Sequence, residues 1–236
     1  MIPVLKAAQM DIAAFLAGRE AETDERYGKA VDEILNTVRE QGDAAVLAYT
    51  KRFDKAEISS LELSTEEWEA GIAQVPAELY DTLEKAAANI KAYHKRQVRE
   101  GYVITDREGV VLGQRILPLD TVALYVPGGR ASYPSTVLMN AIPAALAGCR
   151  RILMATPPDE KGQIAPALLA AAKIAGVTGI YKMGGAQAVA AFAYGTETVP
   201  KADKIVGPGN IYVALAKRRV FGLVDIDMIA GPSEIL

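Results

Sequence analysis

The sequence predicts an α/β protein: a parallel sheet with helices on both faces, preceded by a mainly helical region. Three observations carry that prediction. After residue 120, strand-like and helix-like segments alternate four times, the pattern of a parallel sheet covered by its own crossover helices. Three of those strands run into glycine-rich turns, PGGRASYPST, MGGAQA and GPGN. Before residue 115 the chain is heavily charged and its apolar residues recur at helical spacing.

In the first half, Val31, Ile34, Leu35 and Val38 mark one face of a helix within Thr23–Gln41. Gly42-Asp43 interrupts it, and a short helix resumes from Ala44 to Lys51. Ser64 followed by Glu67 fits a capping box ahead of Trp68. Pro76 suits the first turn of the next helix, in which Leu79, Leu83, Ala87, Ile90 and His94 form one stripe. Residues 102–116 alternate around Gly109, as a hairpin does.

The second half begins with a strand at Val122–Val126, followed by a helix at Val137–Ala147. Next come a strand at Arg151–Ala155, a helix at Ile164–Ala175 and a strand at Gly179–Lys182. A helix at Ala186–Tyr194, a strand at Lys204–Val206 and a helix at Ile211–Val220 complete the series. These shifts divide the chain into an N-terminal arm (1–22), a helical region (23–120) and an α/β unit (121–236).

Half of the 236 residues are hydrophobic and 23% are charged, enough to bury a core and too ordered a composition for general disorder. The net charge of −3 argues against a protein that coats nucleic acid. The longest uncharged stretch, Ala131–Cys149, is broken by Pro134 and Pro143, so no membrane span is expected. A single cysteine, Cys149, points to a cytoplasmic setting.

In an open parallel sheet, ligands bind beyond the carboxyl ends of the strands. Glycine turns there let a backbone approach a ligand closely. Any one such turn needs glycine for the chain reversal alone; three on one edge point to a nucleotide or phosphate site. No G-x-G-x-x-G follows a strand, and no Walker-type loop occurs. One histidine and one cysteine do not assemble a zinc site of the usual His/Cys type. His94, on an apolar stripe, reads as structural rather than as a base. Cys149 reads as an inert buried thiol, and Asp225 and Asp227 as structural or interface carboxylates. Lys217, Arg218 and Arg219 form a basic helix end that suits the helix dipole.

The same turns carry a family resemblance. Leu124-Tyr125-Val126-Pro127-Gly128-Gly129 with Tyr133-Pro134-Ser135-Thr136, Gly184-Gly185-Ala186-Gln187-Ala188, Asp203-Lys204-Ile205-Val206-Gly207-Pro208-Gly209-Asn210 and Ala230-Gly231-Pro232-Ser233-Glu234 resemble the histidinol dehydrogenases. Upstream, Gly42-Asp43, Tyr49-Thr50, Phe53-Asp54 and Tyr93-His94 fit the same pattern. The resemblance implies two Rossmann-like domains, with 121–236 binding NAD and the helical region forming half of the second. It implies oxidation of L-histidinol to L-histidine in two NAD-dependent steps, a bound zinc and a homodimer. By resemblance, Tyr125, Gln187 and Asn210 match NAD-contacting positions, with Phe53, Pro127 and Pro208 on the adenine side, and Ser233 contacts substrate.

In the family the zinc ligands and the acid–base Glu-His pair follow the Gly-Pro-Ser-Glu block, and this chain ends two residues after Glu234. The resemblance therefore implies a truncated chain that is inactive alone, with no catalytic residue and no metal ligand of its own. The alternative is a non-catalytic NAD-binding or assembly fragment completed by another polypeptide. Either way, residues 23–115 are expected to expose apolar surface that the missing half would cover.

Overall fold

The computed structural model describes residues 11–128 and 132–229, the side chains of 12–25 excepted. Helix α1 runs over Ile12–Asp54 and bends sharply at Gly42 (φ 55°, ψ −134°). It starts earlier than the expected Thr23, and the non-helical backbone at Gly42 divides it into two helical segments at the expected break. Its apolar stripe (Val31, Ile34, Leu35 and Val38, then Ala45, Val46 and Tyr49) is buried on both sides of the kink. Each such aliphatic side chain contributes about 1.5–3 kcal/mol on burial, so packing rather than helix propensity holds α1 in place.

The kink is pinned from outside. Asp43 accepts hydrogen bonds from the Thr196 and Thr198 hydroxyls, and its backbone N–H donates to Glu197 Oε2 at 2.7 Å. A Cβ at position 42 would lie 2.2 Å from that same carboxylate oxygen.

Helix α2 (Thr65–Ile72) carries the expected capping box: Ser64 Oγ accepts from Glu67 N–H, and Glu67 accepts from Ser64 N–H. Helix α3 spans Ala77–His94, with Pro76 at its N-cap rather than in its first turn. Leu83 and Ala87 are buried, whereas Leu79 is exposed, so the stripe is shorter than its spacing suggested. Strands β1 (Tyr102–Arg107) and β2 (Val110–Gln114) pair antiparallel around Gly109.

Five parallel strands follow: β3 (Thr121–Tyr125), β4 (Arg151–Thr156), β5 (Gly179–Lys182), β6 (Lys204–Val206) and β7 (Asp225–Ile226), in the order β5-β4-β3-β6-β7. Alternate side chains of β3 enter different cores. Val122 and Leu124 pack with α4 (Pro134–Leu146), α5 (Pro166–Ala175) and residues of α3. Ala123 and Tyr125 pack with α6 (Gly185–Tyr194), α7 (Ile211–Val220) and α1. Both faces of the sheet are thus covered by helices, the expected α/β class.

The expected exposure of residues 23–115 is only partly seen. α1 buries its stripe against α6 and α7, and exposed apolar side chains concentrate on the hairpin and its flanks, with Val103 70%, Val111 72% and Leu117 66% exposed. No helix among the described residues is long and apolar enough to cross a membrane.

Gly42→Ala combines a left-handed φ with a steric clash. It is expected to cost about 2 kcal/mol or more in urea unfolding at neutral pH. Gly109→Ala, at positive φ but with nothing within 4 Å of a new Cβ, is the comparison and should cost about 1 kcal/mol.

Candidate functional site

All five strands point the same way, so the turns after β3, β4, β5 and β6 share one edge. The chain proceeds β3→β4→β5 to one side and then crosses β3 to place β6 on its other side. The topological switch point therefore lies between the carboxyl ends of β3 and β6, where such sheets open a crevice. Pro127 and Gly128 leave β3 at this point, and Gly207-Pro208-Gly209-Asn210 leaves β6.

Tyr125 is the last residue of β3. It is buried, and its hydroxyl accepts from Gly185 N–H at 3.1 Å. The tyrosine thus satisfies one of the free amides at the start of α6. Burial, aided by the negative charge of Asp54, holds the phenol above its ordinary pKa. Gly207 has φ 112°, and a Cβ there would lie 2.2 Å from the Tyr125 carbonyl oxygen. Only glycine lets the β6 turn lie this close to the end of β3.

Asn210 is the N-cap of α7. Its Oδ1 accepts from the N–H groups of Tyr212 and Val213 at 3.1 and 3.2 Å, and Nδ2 takes no part in the cap. Gln187 is buried within α6, and its Oε1 has no partner. Pro127 is half-buried and Pro208 exposed. Phe53 is 48% exposed and stacks on Tyr49 at 5.5 Å. Ser233 lies outside the described residues.

Sequence reasoning passed over Asp54, which ends α1 one turn after Thr50. Its Oδ2 is buried without a partner, as are the hydroxyls of Thr50 and Thr156. Asp54 Oδ1 lies 3.5 Å from a Cβ built on Gly184, in the turn after β5. Burial pushes its pKa from 3.8 up to about 6. The available signal was its place in the quoted Phe53-Asp54 pair, which drew attention only to the ring.

Lys217, Arg218 and Arg219 do form the last turn of α7. Lys217 is buried there, and its Nζ donates to Gly207 O at 3.0 Å and to Asp227. Arg219 Nε donates to Asp32 at 3.0 Å. Asp225 pairs with Lys204 at 2.7 Å, which holds its carboxyl below the usual range. His94 is half-buried on α3 and bonds Gln97 Oε1 at 2.6 Å. Cys149 precedes β4, at the opposite edge of the sheet from the turns, and burial raises its thiol pKa.

The histidinol dehydrogenase family model matches residues 17–236. The chain belongs to the histidinol dehydrogenase family. It is 56% identical over 217 residues to the histidinol dehydrogenase of Geobacillus kaustophilus, covering 92% of this chain and 51% of that protein. With the Bordetella parapertussis histidinol dehydrogenase it shares 54% identity over 237 residues, covering 99% of this chain and 53% of the relative. The crystal structure of the Elizabethkingia anophelis histidinol dehydrogenase superposes with a TM-score of 0.84 at 42% identity, over 98% of this chain and 50% of that one. The chain thus spans about half the length of the curated histidinol dehydrogenases it matches.

Because the pKa of Asp54 is higher folded than unfolded, its contribution is favourable at low pH and is lost as pH rises from 3.8 through about 6. Asp54→Asn removes that loss. With the discount its partial exposure requires, the variant should be about 1 kcal/mol more stable than the parent at pH 8. Denaturant titrations at pH 8 and pH 4 check this, and the difference should vanish at pH 4.

Proposed function

We propose that this chain forms the NAD-binding lobe of a histidinol dehydrogenase, the oxidoreductase that converts L-histidinol to L-histidine in two NAD-dependent steps. The observation that supports it most is the meeting of the β3 and β6 turns at the topological switch point. Gly207 lies against the Tyr125 carbonyl there, and beside the β5 turn Asp54 and Gln187 hold buried oxygen atoms without partners. Such atoms suit a ligand rich in hydroxyl and amine donors.

NAD supplies the hydride acceptor when bound; the residues of this chain supply the seat. Asn210 Nδ2 offers a donor to phosphate or ribose at the start of α7, where the helix dipole also favours negative charge. Tyr125 lines the floor and braces α6 through Gly185. Pro127 and Pro208 present rigid apolar edges, and the exposed Phe53 ring offers a stacking face for adenine. Ser233 is assigned to the substrate side. The described residues do not fit zinc: no group of three or more His, Cys, Asp or Glu side chains among them could hold a metal, so no step is routed through that ion. A cytoplasmic homodimer belongs to the same proposal.

The exposed hairpin residues Val103, Val111 and Leu112 favour a second reading, a binding lobe completed by another polypeptide. A two-stranded ribbon with both faces in water is marginal alone. Light scattering on the purified chain tests this: concentration-dependent association supports it, and a stable monomer counts against it.

Calorimetric titration with NAD should show one site on the parent. Asn210→Asp keeps the cap oxygen but removes the donor and places a negative charge at the phosphate. It should therefore raise Kd about tenfold or more with little change in Tm. Asn210→Ala should weaken binding and also cost about 1 kcal/mol through the lost cap. No histidinol-dependent NADH should form with this chain alone, zinc added or not; measurable turnover would show that the chain carries the missing acid–base chemistry.

A further inference from the structure

A buried ammonium is tolerated only when its charge and donors are matched, and the partners of Lys217 converge on a single residue. Lys217, 3% exposed, donates from Nζ to the Gly207 carbonyl at 3.0 Å and to Asp227 Oδ1. The other Asp227 oxygen accepts from Gly207 N–H at 2.8 Å, and Oδ1 also accepts from Met228 N–H at 2.7 Å. Both backbone polar groups of Gly207 are therefore gripped by one lysine–aspartate pair. Gly207 is also the residue whose φ of 112° sets its backbone against the Tyr125 carbonyl.

A buried ion pair is weak grounds for inferring stability, because desolvation offsets much of its attraction. The geometry gives this one another role. The neighbouring Lys204–Asp225 pair at 2.7 Å ties β6 to β7 side chain to side chain. It holds no turn backbone and serves as an internal comparison. We propose that Lys217 and Asp227 are positioning residues that clamp Gly207 and so set the turn Gly207–Asn210 against the end of β3 in the geometry NAD reads. This rests on the NAD reading above. Coupling is reciprocal, so a nucleotide seated on the turn must also steady the segment around Asp227.

The test uses the full chain, Asp227→Asn, the double variant Lys217→Met/Asp227→Asn and the comparison double Lys204→Met/Asp225→Asn. The Lys217/Asp227 double leaves no ammonium buried without its counter-ion. Hydrogen exchange is read across 207–210 and 225–229 with and without NAD, and Kd by calorimetry. In both clamp variants, exchange at 207–210 should accelerate and Kd should rise about tenfold, with cooperative thermal unfolding retained. NAD should slow exchange at 225–229 in the parent but not in Asp227→Asn. The comparison double should leave the turn and Kd unchanged, whatever its effect on Tm.

Unaltered exchange and Kd in the clamp variants, or the same rise in the comparison double, overturns the clamp. So does unfolding of both clamp variants, which would make the pair a folding determinant instead. If the parent binds no NAD, the cofactor reading fails, and exchange at 207–210 decides the clamp alone: acceleration supports its grip on the turn, and no change overturns it.

Discussion

Strand β3 lies between β4 and β6 with every residue from Thr121 to Tyr125 buried. Its backbone groups must find partners on two neighbours, and both of its faces must be covered. The remaining architecture answers those demands. One face takes α4 and α5, the other takes α6 and α7, and the N-terminal helices add a further layer on each side. Because the chain leaves β3 towards β4 and later returns to place β6 on the other side, the same strand fixes where the crevice opens.

Polar groups around the crevice follow two different rules. Some are matched: Lys182 with Glu67, Lys204 with Asp225, and the Trp68 indole N–H with the Leu169 carbonyl. Others are not, and Asp54, Thr156 and Gln187 each keep a buried oxygen without a partner. An unmatched buried oxygen costs about 1–3 kcal/mol. The turn after β6 is matched again, through Lys217 and Asp227.

Much of the fold is legible because Gly or Pro follows β3, β4, β5 and β6 closely and a capping box marks α2. From β3 to α7 the expected elements lie within a residue or two of the observed ones, except that α4 begins three residues earlier, at Pro134. The failures share a cause. Lys217 sits in a run of three basic residues whose pattern does not single it out for burial, and its partner Asp227 comes beside it only with the return of β7 beside β6. Asp54 shows no periodic signal, since its burial depends on the turn after β5 packing against α1. Leu79 fits the helical stripe of α3 but is exposed. Local pattern locates an element; which of its side chains become buried or charged against one another depends on contacts distant in sequence.

Amide chemical-shift mapping during an NAD titration asks whether the carboxyl edge of this sheet, at the junction of β3 and β6, seats a nucleotide. With the nucleotide at that edge, shifts cluster at 125–128, 184–188 and 207–213, and the hairpin 102–114 and the opposite edge around Cys149 stay unmoved. Shifts centred on the opposite edge or the hairpin, or none at saturating NAD, would contradict that placement.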